Sequence, residues 1–216
     1  MEASSYNIKE PGLNILPPGV ERYVVNGGGL TGIQIFPDDE IRIINDEGNQ
    51  ICEIIVFDKD GNSNLSILDL KEHKTNSKIK EILFSKDESS KVANYQLKKR
   101  NLDISNAISS VVFDKDANWG DEIKLKSKDK CYCVFSAPGK TMLVHEQNPT
   151  TNLTIFIKRA KITKDKEHVL IPDPIYDPLS ETNILRQTSI GYQVKEGDYI
   201  QIISPAGRQC SDFVAF

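Results

Sequence analysis

The sequence predicts an α+β fold, mainly an antiparallel β-barrel or sandwich with a small helical insert. Three observations lead there. Short runs such as SSVVF, IKLKS and NLTIFIKRAKI alternate polar with apolar residues at the strand period and are bounded by turn residues. A helical period replaces that alternation over residues 76–110. The stretch GIQIFPDDEIRIINDEGNQICEIIVF, Gly32 to Phe57, returns at the end of the chain as GYQVKEGDYIQIISPAGRQCSDFVAF, Gly191 to Phe216.

Laid over each other without a gap, the two copies share nine of 26 positions at a constant offset of 159. The shared pairs are Gly32/Gly191, Gln34/Gln193, Asp39/Asp198, Ile41/Ile200, Ile43/Ile202, Ile44/Ile203, Gly48/Gly207, Gln50/Gln209 and Phe57/Phe216. Repetition at so long an interval reports two related supersecondary units, not a short-period solenoid. Each copy reads as a β-hairpin, with NDEG and SPAG supplying a glycine where positive φ costs little. The second arms carry an acid, Glu53 or Asp212, inside an apolar strand, where an unpaired charge is costly. These acids read either as solvent-facing strand positions or, with Gln50 and Gln209, as members of one polar site beyond the turn.

The repeat also divides the 216 residues. Residues 1–19 read as an extended N-terminal arm, because Pro17 and Pro18 bias the backbone away from helix. Residues 20–165 read as a β-rich domain with its helical insert at about 76–110, and the proline-spaced residues 166–189 as a linker. Residues 190–216 then read as the first hairpin of a second, truncated domain. A chain reaching Phe216 inside an apolar strand reads as a piece of a longer polypeptide, or as one whose last strand docks into the first sheet.

Within the first domain, ERYVV reads as a strand and Gly27-Gly28-Gly29 as a hairpin turn, since a phosphate-cradling loop wants a helix after it. FDKDGNSNLSILD offers oxygen ligands at calcium-loop spacing, but Ser63 stands where that loop needs glycine, so it reads as a connecting loop. Ile79, Ile82 and Leu83 mark one helix, Lys91 to Arg100 a second, and Ile104 to Val111 a third with Asp103 as its N-cap. Lys98-Lys99-Arg100 reads as a solvated helix end. Trp119 reads as buried against the barrel end, with a rim or lid position as the alternative. Cys131 and Cys133 face one side of a strand and read as buried thiols; a soft metal would need a third ligand such as His145 on MLVHE. SAPGKT imitates a phosphate loop but runs into MLVHE, an expected strand, and Arg159 reads as a surface residue or an anion contact.

Composition limits the function classes. A net charge of −4 with interspersed signs excludes the concentrated basic face of a nucleic-acid binder. No 18-residue apolar window exists to span a membrane as a helix, and MEASSYNIKEPG lacks the pattern of a signal peptide. The expectation is a cytoplasmic chain whose four cysteines, Cys52, Cys131, Cys133 and Cys210, are reduced.

INDEGNQICEIIVFD, FSAPGKTMLVHEQNPTTNLTIFIKRA, LIPDPIYDPLSETNI and above all YQVKEGDYIQIISPAGRQCSDFVAF resemble one protein type. They are similar to the urea-carboxylase-associated domain family, as found in the N-terminal region of large aminomethyltransferase-like proteins that continue into a glycine-cleavage T-protein module. The resemblance implies an accessory or small-molecule-binding region of a one-carbon or amine-metabolising enzyme, inactive alone. It implies tetrahydrofolate as cofactor of a transferase module outside this chain and none within it. The implied partners are a small nitrogenous metabolite and the C-terminal remainder of the same polypeptide. The transferable residues are Gly207, Arg208, Gln209, Cys210 and Asp212, with Gly48, Gln50 and Glu53 in the first copy. Arg208 can hold a carboxylate or carbamate through two parallel bonds, and Asp212 an amidine, urea or amine. A second function class remains open, a hydrolase subunit of the carboxyguanidine-deiminase type with Cys210 as nucleophile or metal ligand.

Overall fold

The computed structural model describes residues 16–72, 77–85, 88–140, 144–145, 149–161, 177–203 and 210–215. Among them, eight strands form two four-stranded antiparallel sheets. The strands are β1 (Val20–Val25), β2 (Leu30–Ile35), β3 (Glu40–Asn45), β4 (Cys52–Asp58), β5 (Ser109–Phe113), β6 (Glu122–Lys126), β7 (Cys131–Ser136) and β8 (Leu153–Lys158). One sheet runs β1-β8-β3-β6 and the other β2-β7-β4-β5. This is the strand order of a jelly roll: two facing sheets instead of a closed barrel.

That order corrects the hairpin reading. β3 pairs with β8 and β6, β4 with β7 and β5, and the two never pair with each other. Consecutive strands β1 to β4 alternate between sheets, so each short connection crosses the sandwich where a hairpin would turn within one sheet. The crossing from β3 to β4 is built locally. Asn45 donates from Nδ2 to the Gln50 carbonyl at 2.7 Å and accepts the Gly48 N–H at 3.0 Å on Oδ1. Gly48 (φ 81°) is fixed there for two reasons, because a Cβ would also lie 2.7 Å from the Trp119 nitrogen. The Gly27–Gly29 turn likewise passes from β1 in one sheet to β2 in the other.

The inward residues of both sheets, among them Ile33, Ile35, Ile41, Ile43, Ile54, Val56, Phe135 and Ile155, make the core. Their alternation along each strand is what selects one face for burial. β4 is buried on both faces, CEIIVF having no exposed residue. Its outer side, with Ile55 and Phe57, packs under the insert against Ile79, Leu83, Leu97 and Ala107. The insert has two helices, α1 (Lys78–Leu83) and α2 (Glu88–Lys99). The third expected helix is a turn. Asp103 accepts the Ser105 N–H and the Asn106 amide within it, and β5 begins at Ser109, where β-branched SSVVF favours pairing with β4. After β4, Asp58 Oδ1 accepts the Asp60 and Asn62 N–H groups in a compact loop, followed by a 3-10 turn at Leu65–Leu68. MLVHE is not a strand where it is described, since Val144 and His145 lie in an exposed turn. Trp119 is 81% exposed, contrary to the expected burial.

The second copy differs more. Residues 177–203 and 210–215 contain no helix or strand, and Ile200, Ile202 and Phe213 are exposed. One turn within it and one just before it nevertheless repeat their counterparts at the same offset. Gly28 (φ 79°) corresponds to Gln187 (φ 62°), and Asp38 (φ 68°) to Gly197 (φ 89°). The closing bonds match as well: Gly29 N–H to the Asn26 carbonyl with Thr188 to Leu185, and Asp39 to Phe36 with Asp198 to Lys195. Even the capping carboxylates agree, Asp39 accepting the Phe36 N–H at 3.0 Å and Asp198 that of Lys195 at 2.8 Å.

Candidate functional site

The expected site residues fall in separate places. Gln50 is buried where the β3–β4 crossing meets the connection after β7. Its Nε2 donates to the carbonyls of Ile51 and Pro138, both at 2.9 Å, and its Oε1 accepts the Thr151 N–H at 2.9 Å. Glu53 is 3% exposed on β4 and turned toward the helical insert. Its carboxylate accepts the Lys78 and Ile79 N–H groups at 3.1 and 3.0 Å and the Ser77 hydroxyl at 3.3 Å. An anion there satisfies the orphan donors that open α1, so the acid inside an apolar strand has a stated structural task. Beside these two residues, Ser136 Oγ, across the β4–β7 ladder from Glu53, and Thr151 Oγ1 are buried without a partner among the described residues. Asp212 is exposed in an irregular segment, as is Cys210. Gly207, Arg208 and Gln209 lie outside the described residues.

The thiols of Cys131 and Cys133 are buried together on β7 with their sulfurs 3.7 Å apart. The hydrogen bond from Cys133 holds the Cys131 thiol below its usual range, while burial pushes Cys133 well up. Burial, with a smaller contribution from Glu53, also pushes up Cys52. His145 sits in an exposed turn, and among the described residues no three His, Cys, Asp or Glu side chains gather as a metal site. The end of α2 is more engaged than a solvated cluster. Arg100 stacks over the Tyr132 ring at 4.7 Å and Lys99 pairs with Asp177 at 3.1 Å.

The strongest polar centre is built on Arg159, which the sequence offers as a surface residue or an anion contact and the structure places off the surface between carboxylates. Arg159, just past β8, is nearly buried and bridges two carboxylates. It donates from Nε and Nη2 to Glu21 at 2.8 and 2.7 Å, and from Nη1 to Asp39 at 2.7 Å and to the Gln34 carbonyl at 2.9 Å. Asp39 also accepts the Ala160 N–H at 2.9 Å, and the Tyr23 hydroxyl donates to Glu21 at 2.7 Å. Burial alone would lower the guanidinium pKa, but the bonds to Glu21 and Asp39 outweigh it and keep the group charged. Burial and then Glu21 push the Tyr23 phenol well above its usual range. The centre ties β1, the β2–β3 turn and the end of β8 together. One signal pointed to it: Asp39 is among the nine repeated residues.

No family model matches the chain. It is 34% identical over 209 residues to the trimethylamine-oxide aldolase of Ruegeria pomeroyi, a match covering 97% of this chain and 26% of that protein. The chain thus spans about a quarter of the length of this relative. Among solved structures, a DUF1989 family protein from Silicibacter pomeroyi superposes with a TM-score of 0.39 at 9% identity, over 68% of this chain and 85% of that one.

Proposed function

We propose that this chain is an accessory, small-molecule-binding region of a larger one-carbon or amine-metabolising enzyme and is inactive alone. The observation that carries this reading is the alignment of nearly the whole chain with about a quarter of an aldolase that acts on trimethylamine oxide. The proposed metabolite is accordingly a small methylated nitrogen compound. Gln50 and Glu53, beside the two unpartnered hydroxyls, are one proposed contact region, and Arg208, Gln209 and Asp212 another. The remainder of the polypeptide is proposed to be aminomethyltransferase-like, with tetrahydrofolate as its cofactor, and to work in the cytoplasm. In support, the polar centre around Arg159 spends its hydrogen bonds within the fold, which suits a scaffold better than a reacting site.

Trimethylamine oxide offered to this chain alone and to the full-length protein containing it tests the proposal, with loss of the N-methyl signal followed by proton NMR. Turnover by the full-length protein only, with and without added tetrahydrofolate, is expected; turnover by the 216-residue chain overturns the reading. Calorimetry on the full-length protein carrying Arg208→Ala and Asp212→Ala should show weaker binding. Unchanged affinity removes that contact region.

A further inference from the structure

We propose that residues 185–203 and 210–215 belong to the first half of a second jelly roll, and that they are the docking surface for another set of four strands of the β5–β8 kind, supplied by the longer polypeptide. Among the described residues β1 pairs only with β8, β2 only with β7, β3 with β8 and β6, and β4 with β7 and β5. Not one ladder joins two members of the β1–β4 half. A copy of that half has the correct turns and no strand of its own to pair with. Residues 185–203 and 210–215 are in that condition, with two turns matching in φ and in closing bonds and no ladder among the described residues.

What the copies share is what touches the missing half. In the first copy a Cβ on Gly32 would lie 2.1 Å from the Tyr132 hydroxyl, because the tyrosine of β7 lies over it; at Gly191 a Cβ would meet nothing within 4 Å. Gln34 donates from Nε2 to the Cys131 carbonyl of β7, and Gln50 reaches the Pro138 carbonyl and the Thr151 N–H between β7 and β8. Ile41 and Ile43 are buried between the sheets, whereas Ile200 and Ile202 are 41% and 56% exposed. Gln193, Ile200 and Ile202 therefore present the same bonding and apolar groups with no recipient among the described residues. The occupant must be strands that bring backbone partners, an apolar inner face and, opposite Gly191, an aromatic ring of the kind that covers a glycine on a neighbouring strand. The length of the aldolase relative, of which this chain matches 26%, leaves ample polypeptide to supply them. The inference rests on strand topology and stands apart from the substrate.

Hydrogen–deuterium exchange compares this chain with the full-length Ruegeria pomeroyi aldolase. In the 216-residue chain, residues 189–203 should exchange at nearly unfolded rates; in the aldolase, the aligned amides should exchange on the order of a hundredfold slower, as paired strands do. Fast exchange of that region in the aldolase overturns the proposal. So does slow exchange in the chain alone accompanied by a doubled mass in light scattering, which would make β5–β8 of a second copy the occupant. Neither readout depends on turnover of trimethylamine oxide, so failure here and failure of the proposed activity are separable.

Discussion

Residues 26–58 and the described part of 185–215 pose a natural experiment, because related sequence meets two surroundings in one molecule. The turns come out alike in both, down to the aspartate that caps the second one. The strands come out only where β5–β8 stand beside them. A turn closed by bonds three residues apart is specified by its own sequence, whereas strand propensity describes fitness for a pleated, half-buried surface that something else must complete. Local geometry is therefore shared between the copies and burial is not.

Paired substitutions can break or sharpen that contrast. Ile43→Ala opens a cavity between the sheets and should cost about 4 kcal/mol in urea unfolding, while Ile202→Ala should stay within about 0.5 kcal/mol. If both cost the same, the second copy is packed in solution. Asp39→Ala leaves Arg159 buried with one carboxylate in place of two and should cost about 3 kcal/mol, with Asp198→Ala near zero by the same measurement. Gly32→Ala pushes into Tyr132 and should cost about 1–2 kcal/mol, whereas Gly191→Ala should be silent in this chain. The smallest effect concerns pH. The folded Tyr23 phenol has a pKa above its unfolded value of about 10, so the folded state binds the extra proton at high pH. That contribution is complete below pH about 10 and fades as pH rises toward the folded value. Tyr23→Phe should flatten this alkaline loss of stability, and the counterpart Thr182→Val should leave it unchanged.

Much of this fold was legible in the residues. β1, β2, β5, β6, β7 and β8 all lie where alternation or β-branched runs placed them, and the insert interrupts the sheets where the period changes. The sheet to which each strand belongs was not legible, because a short turn can join two strands of one sheet or cross between two. The third helix failed for a related reason. Ile104, Ala107 and Ile108 have helical spacing, yet the demand of β4 for a neighbour turns Ser109–Phe113 into a strand. Arg159 was legible only as a surface residue or an anion contact, because its partners stand 120 and 138 positions away, a separation to which no periodicity speaks. Gln50 and Glu53 stood out in the sequence as polar residues beside and inside an apolar strand. Their bonds to Pro138, Thr151 and the start of α1 required the assembled chain to be seen.

The interleaving of the two halves also dictates a timetable. A ribosome delivers β1 to β4 first, and none of them can zip to another. The β4 ladder waits for β5 at residue 109, and β1 finds its only neighbour when β8 emerges at residues 153–158. Nascent chains of this design expose isoleucine-rich ribbons until β8 has emerged. Folding should accordingly be slow, set by high contact order, and the unfinished chain a natural client for chaperones that shield strands until their late partners arrive.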